Sequence, residues 1–351
     1  MEIEETTRKL ASVQRVLDLS PIENADKIEV AHILGWKVVV KKGEFKVGDL
    51  AVYFEVDSLI PEEILKKFNL WDNERDKGKL AGSKGNRLKT VRLRGQISQG
   101  LLIPLSIVND FTQITEGIDV TEKLGVKKYN PPIPVQLQGI MEGQFPSFLK
   151  RTDSKRVQSN PGLIEEMRDR DCYITIKIEG TSGTFYNRIV DVNNEFGVCS
   201  RNIDLKETDT NTYWKIARQY ELKDLLKDQE LCIQGEIYGN GIEGNVLGES
   251  DHKLAVFDIF DIKDYKYFNY KDLVYFCRSN KLPMVEVIYE GKFIWNSIDE
   301  LLELADQQKY PNGEFAEGIV IRPQIESYSN VLGGRLAFKV ISPSYLLKHG
   351  R

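Results

Sequence analysis

Tyr173-Ile-Thr-Ile-Lys-Ile-Glu-Gly180 is the stretch on which the reading of this sequence turns. Successive side chains of an extended chain face opposite ways, so Ile174, Ile176 and Ile178 share one face while Lys177 and Glu179 share the other. Three later segments repeat the device. Leu231-Cys-Ile-Gln-Gly-Glu-Ile-Tyr-Gly239 sets Glu236 among apolar residues, and Glu317-Gly-Ile-Val-Ile-Arg322 opens on an acid at the mouth of a strand. Leu336-Ala-Phe-Lys-Val-Ile341 carries Lys339 in an otherwise apolar run. Taken singly, each has a plain explanation. Lys177 reads as a surface lysine at a strand edge, Glu236 and Glu317 as ion-pairing or capping acids, and Phe257, in Leu254-Ala-Val-Phe-Asp-Ile-Phe260, as core packing. A charge inside an apolar strand is nevertheless costly unless it is paired or used, and several in succession point to chemistry.

Upstream of this region the texture differs. Short strand-like segments at Leu10–Leu19, Lys27–Leu34, Trp36–Lys41, Leu50–Val56, Leu88–Leu93 and Leu101–Pro104 are separated by glycine-bearing turns, a pattern that suggests a small β-barrel. From Val126 to about Gly162, Pro131, Pro132, Pro134, Pro146 and Pro161 interrupt any periodicity, which reads as an extended connector. The expected division is therefore a barrel over 1–125, a connector over 126–162 and a mixed α+β domain over 163–351. In the last, Tyr173–Glu179, Leu231–Ile237, Lys253–Phe260, Gly318–Ile321 and Leu336–Ile341 read as strands. Thr212 to Leu226 and Asp299–Leu304 read as helices.

The composition fits a chain with real cores: 351 residues, 41% hydrophobic and 29% charged. Forty-eight basic against 53 acidic residues give a net charge of −5, which excludes a wholly basic nucleic-acid coat but not a local patch. The four cysteines form no CxxC and read as reduced core residues. With only three histidines, any enzyme here must work mainly with lysines, carboxylates and a metal. MEIEETTRKL has no apolar signal core and no apolar run is long enough to span a bilayer, so an intracellular, cytoplasmic protein with no membrane contact is expected.

In order along the chain, the charged segments resemble the motifs of the covalent nucleotidyltransferase superfamily of ligases and capping enzymes. Lys177–Gly180 is similar to motif I, Ser200-Arg201-Asn202 to motif Ia, Gly235-Glu236 to motif III and Val256-Phe257-Asp258-Ile259 to motif IIIa. Glu317-Gly318 is similar to motif IV and Phe338-Lys339-Val340 to motif V. The N-terminal Pro21-Ile-Glu-Asn-Ala-Asp-Lys-Ile-Glu-Val30 and Trp36-Lys-Val-Val-Val-Lys-Lys-Gly-Glu-Phe-Lys-Val-Gly-Asp49 resemble the OB module of the fifth family of ATP-dependent RNA ligases. Phe145-Pro-Ser-Phe-Leu-Lys-Arg-Thr-Asp153 and Arg156-Val-Gln158 strengthen that resemblance. It implies an OB-like barrel followed by a nucleotidyltransferase domain of ATP-grasp-like antiparallel sheets plus helices.

It also implies roles. Lys177 would attack the α-phosphorus of ATP and store AMP as a phosphoramidate; to attack it must be neutral, so its pKa is expected to fall. Gly180 would keep the phosphates uncrowded, Arg201 would hold a ribose or phosphate, Glu236 would accept from ribose hydroxyls and Phe257 would stack on adenine. Ile176 completes the nucleotide-binding set. Glu317, with Glu236, would hold Mg²⁺ or Mn²⁺ largely through water, and Lys339 would neutralise charge on the α-phosphate. Relatives often carry Lys-x-Lys in motif V; here the second place is Ile341. The sequence closes at Arg351, soon after motif V, so the second OB domain and motif VI of DNA ligases are not expected.

The RNA is expected to meet two basic clusters. Arg75 to Arg94 holds eight basic residues and one acid, with Arg87, Lys89, Arg92 and Arg94 the strongest candidates because they alternate with Leu88, Thr90, Val91 and Leu93. Lys150, Arg151, Lys155 and Arg156 form the second. Neither carries enough aromatics to argue for base reading, so recognition of backbone and A-form shape is expected. The resulting expectation is an ATP-dependent RNA ligase joining 3′-OH to 5′-phosphate ends at nicks with an RNA 3′-OH strand, with no obligate protein partner. The alternatives are a DNA ligase, which would seal all-DNA nicks equally well, and a non-catalytic OB-fold RNA-binding protein, which would form no adduct with ATP.

Overall fold

The computed structural model describes residues 8–81, 85–108, 114–129 and 140–349. Lys84 of the first basic cluster, Gly82 and the prolines at 131, 132 and 134 fall outside these residues. The chain divides into two compact units. One comprises Met1–Pro131 together with Val157–Leu163 and Pro343–Arg351, and the other Pro132–Arg156 and Ile164–Ser342. The expected connector is thus shared between units, and the C-terminal helix Pro343–His349 groups with the barrel.

In the first unit Leu50–Phe54 is the middle strand between Ala11–Arg15 and Leu101–Pro104, and Asp18–Pro21, Ile28–Ile33 and Trp36–Lys41 form a second antiparallel sheet. Trp36–Lys41 alternates buried and half-buried residues, the period-2 signature of a strand with one face inward. Its inner face joins Val16, Phe45 and Tyr53 in one core, while Val13, Phe54, Ile60 and Ile103 centre another. The segment 157–163 is tied in by Gly35 N–H donating to the Gln158 carbonyl (3.0 Å) and Ser159 donating to the Glu55 carboxylate (3.1 Å).

Two sheets organise the second unit. One has seven antiparallel strands, in the order Met141–Gln144, Ile203–Leu205, Asn193–Cys199, Thr181–Val190, Leu231–Tyr238, Lys253–Asp261, Lys266–Tyr267. The other runs Lys155–Arg156, Phe338–Ile341, Gly318–Pro323, Asp171–Lys177, Val287–Lys292, with only the first pair parallel. The expected helix from Thr212 to Leu226 is two helices, Thr212–Gln219 and Leu222–Leu225. Asn211 caps the first by accepting from the Tyr213 and Trp214 N–H groups, and Glu221 at φ +50° breaks the run. The helix Ile298–Gln307 carries Ser297 as its cap. Among the described residues no helix is long and apolar enough to cross a membrane.

Candidate active site

Lys177 is the last residue of its strand, in register with Gly318, which in turn pairs with Ile341. A Cβ on Gly318 would lie 2.1 Å from the Val340 carbonyl oxygen, and its φ of +155° suits glycine. This close packing sets Glu317, one residue earlier, at the strand mouth beside Lys177. The Lys177 Nζ and Glu317 Oε2 are 2.5 Å apart, with both side chains about four-fifths covered. Residues 140 positions apart in sequence thus meet as an ion pair.

The electrostatics differ from expectation in one respect. Burial pulls the Lys177 pKa down, but Glu317 and Glu236 outweigh it, so the amine is held above its ordinary value. Lys339 is the lysine that is depressed, to about 7, by burial and then by the positive charge of Lys177, with Arg156 adding to the effect. The cause lies in the sheet: Lys177 faces two acids, whereas Lys339 pairs in parallel register with Arg156. Burial pushes Glu236 up to about 8 against the opposing pull of Lys177. Arg156, expected to meet RNA, is the ladder neighbour of Lys339, and with Lys155 it lies in a strand of the same five-stranded sheet as Lys177.

The remaining candidates surround this pair. A Cβ on Gly180 would lie 2.4 Å from the Ile237 carbonyl oxygen and 3.0 Å from the Glu236 side chain, so the glycine is needed first for close strand packing. Ile176 is 5% exposed, its N–H donates to the Glu286 carbonyl, and by strand alternation its side chain takes the face opposite Lys177. Phe257 is half-buried. The ladder pairs Gln234 with Asp258 and Gly235 with Val256, which leaves Phe257 as the extra residue of a β-bulge, half-exposed. Beneath it Asp258 receives Arg322 (3.3 Å) and Arg335 (2.7 Å), and those guanidinium groups hold its carboxyl below the usual range despite burial. Arg201 is half exposed and pairs with Asp153 at 2.5 Å.

The other basic candidates behave unequally. The Arg87 guanidinium is bonded to Asp57 (2.7 and 3.2 Å) and lies 4.0 Å over the Tyr129 ring. Lys89 is half-buried outside any strand, because the expected strand Leu88–Leu93 is only Val91–Leu93. It forms a hairpin with Gln96–Ser98 through Arg94-Gly95, both at positive φ, and Arg92 and Arg94 are exposed there. Lys150 lies 4.6 Å over Tyr265, Arg151 5.7 Å over Phe145 and Arg188 4.7 Å over Phe148. Two members of the second cluster therefore lie over aromatic rings, one on the nearby Phe145 and one on Tyr265, which is remote in the sequence. Tyr310, Asp153 and Arg188 were not singled out from the sequence. Tyr310 opens the turn signal Pro311-Asn312-Gly313, which marks a loop but not what its tyrosine touches.

Among the described residues no group of three or more His, Cys, Asp or Glu side chains is disposed to hold a metal. Glu236 and Glu317 are a two-acid set, which suits a cation that keeps most of its water.

The strand-end Lys177 paired to Glu317, Phe257 on its bulge and the half-buried Lys339 all lie in the α+β domain, which follows the N-terminal OB-fold in the sequence and is nucleotidyltransferase-like in fold. The RNA ligase family matches residues 170–341, and an OB-fold domain family matches residues 10–105. The chain is 35% identical to an RNA ligase of Naegleria gruberi solved with pyrophosphate, with a TM-score of 0.85 over 98% of this chain and 99% of that one. Variants of that ligase solved with ATP and manganese (35% identity, TM-score 0.84, 97% and 99% covered) and with AMP and manganese (35%, 0.86, 98% and 99%) are similarly close. No curated protein sequence matches. This chain belongs to the RNA ligase family.

Proposed function

We propose that the protein is an ATP-dependent RNA ligase that seals 3′-OH and 5′-phosphate ends through an AMP adduct on Lys177. The observation that carries this reading is the strand-end Lys177 held against Glu317. The Lys177 Nζ forms a bond to the α-phosphorus of ATP as the bond to the β-phosphate breaks and pyrophosphate leaves. Before it attacks, the amine must shed the proton that its ion pair with Glu317 holds on it. Glu236 and Glu317 fit a divalent cation, because burial keeps Glu236 protonated unless positive charge joins the pair. When bound, Mg²⁺ or Mn²⁺ supplies neutralisation of the two acids and of the triphosphate.

Phe257 stacks on adenine, Arg201 holds a ribose or phosphate, and Lys339, charged once phosphate is beside it, offsets the charge that builds on the α-phosphate. Arg156 stands beside Lys339 and supplies the second cation missing at Ile341. AMP then passes to the RNA 5′-phosphate, and the 3′-OH attacks that phosphate and expels AMP. Arg92, Arg94, Lys150 and Arg151 contact the nicked duplex. That ligands of the Naegleria gruberi enzyme include ATP, AMP, manganese and pyrophosphate supports the same nucleotide chemistry here.

The test incubates the protein with α-labelled ATP and Mg²⁺, isolates the adduct, and chases it with duplexes nicked beside an RNA or a DNA 3′-OH. Transfer and sealing at the RNA end alone is expected. Equal sealing at an all-DNA nick makes it a general polynucleotide ligase, and the absence of any adduct makes it a binding protein.

A further inference from the structure

The turn Tyr310-Pro-Asn-Gly-Glu314 follows the helix Ile298–Gln307 and is closed by the Tyr310 N–H to Glu314 carbonyl (2.8 Å) and Gly313 N–H to Tyr310 carbonyl (2.9 Å) bonds. Tyr310 is 4% exposed, and burial pushes its phenol well above the ordinary value, so it stays protonated. A phenol has one hydrogen and two lone pairs to offer, and all three are engaged. The hydroxyl donates to the Lys177 carbonyl (2.9 Å) and accepts from the Glu179 N–H (2.8 Å) and the Glu317 N–H (3.1 Å). Two residues on, Asn312 donates to the Val246 carbonyl (2.7 Å), and the Val246 N–H donates to the Glu179 carboxylate (3.3 Å).

These bonds fall at the edge of the ladder, where the Glu317 carbonyl accepts from the Ser342 N–H (3.0 Å) and the Glu317 N–H is taken up by Tyr310. The nucleophile's strand ends at Lys177, and Glu317 lies just before the strand Gly318–Pro323. Among the described residues, no ladder pair beyond Lys177 with Gly318 joins these two strand ends, and a backbone group left without a partner in a covered site is costly.

We propose that Tyr310 is a positioning residue for adenylylation, its hydroxyl fixing the backbones of Lys177 and Glu317 so that the amine meets the α-phosphate in line. The proposal rests on Lys177 being the residue that is adenylylated. Tyr310 touches no substrate; it acts through the residues that do.

The test is single-turnover adenylylation of full-length protein across ATP concentrations at fixed Mg²⁺, comparing the native chain with Tyr310→Phe. Misplacement of reacting groups by about 1 Å costs on the order of 10²-fold, so the maximal rate should fall by about that factor. The half-saturating ATP concentration should not change, because Phe257, Arg201 and Lys339 are untouched. A native maximal rate in folded Tyr310→Phe overturns the proposal. A lower rate with a matching rise in half-saturating ATP also overturns it, because that is general loosening of the pocket. If the native protein forms no adduct, the ligase reading fails and this proposal with it; an adduct in both proteins at equal rates sinks this proposal alone. Should Tyr310→Phe not fold, 3,5-difluorotyrosine placed at position 310 keeps the hydroxyl and alters its hydrogen-bond strength. A lower maximal rate at unchanged half-saturating ATP is expected, and an unchanged rate overturns the proposal.

Discussion

The end of the strand Asp171–Lys177 and the hairpin of Val91–Leu93 with Gln96–Ser98 both present basic side chains, and they place them differently. At the strand end every charge has an assigned neighbour: Lys177 meets Glu317, Lys339 pairs with Arg156, and a glycine at each close approach keeps the strands together. In the barrel's basic block, Arg87 is paired with Asp57, while Arg92 on the short strand and Arg94 in the two-residue turn are exposed. Register places charge for chemistry, whereas local abundance of Lys and Arg places it for a field. Substitutions in the first region should therefore change rates by orders of magnitude, and those in the second should change salt dependence.

The largest effect is expected from Lys177→Ala, which should abolish adduct formation and ATP-dependent sealing while leaving RNA binding intact. Gel retention of label after denaturation measures the first, and an adduct that survives would remove Lys177 from the chemistry. Glu317→Ala and Lys339→Ala come next, each slowing adenylylation on the order of 10²–10³-fold, the usual loss for one electrostatic contact aimed at developing charge. A near-native Glu317→Ala rate would mean that the acid is only an ion-pair partner. Phe257→Ala should raise the half-saturating ATP concentration roughly tenfold, because base–aromatic stacking is worth about 1–3 kcal/mol. No change would return Phe257 to a packing role.

Smaller effects belong to the barrel and to pH. Neutralising Arg92 and Arg94 together should lower the slope of log binding constant against log salt for nicked duplex by about 2, with adenylylation unaffected. Removing the whole barrel is a poorer test, because 157–163 and the helix Pro343–His349 belong to its unit. Lys339, with its pKa near 7, is mostly neutral at pH 8 and charged below pH 7. The triphosphate favours the charged form, so metal-free ATP binding at pH 8 should take up a fraction of a proton. Calorimetry in buffers of different ionisation enthalpy reads this, and Lys339→Met should reduce it. Undiminished uptake would assign the proton elsewhere.

Much of the candidate site was legible because Lys177, Glu236 and Lys339 interrupt apolar strands and Glu317 stands at the mouth of another; each alone has a plain explanation, and it is their order along the chain that carries the reading. The strands Thr181–Val190 and Asn193–Cys199 were not legible. Polar residues interrupt both, and the turn between them, Asp191-Val192, carries no glycine although both residues have positive φ. The helix Tyr270–Ser279 was likewise missed, although Asn269, a favoured N-cap residue, precedes it and Asp272 lies in its first turn. The parallel pairing of Lys155–Arg156 with Phe338–Lys339 joins residues far apart in sequence, so nothing local announces that Arg156 is a neighbour of Lys339. The same holds for Tyr310, whose three bonds exist only after both sheet strands are in place.

The central claim is that the paired lysine, not the one with the depressed pKa, is the nucleophile. Tandem mass spectrometry of protein adenylylated with ATP and Mg²⁺ tests it directly. AMP attached to Lys177 is the result this account predicts, and AMP attached to Lys339 would contradict it.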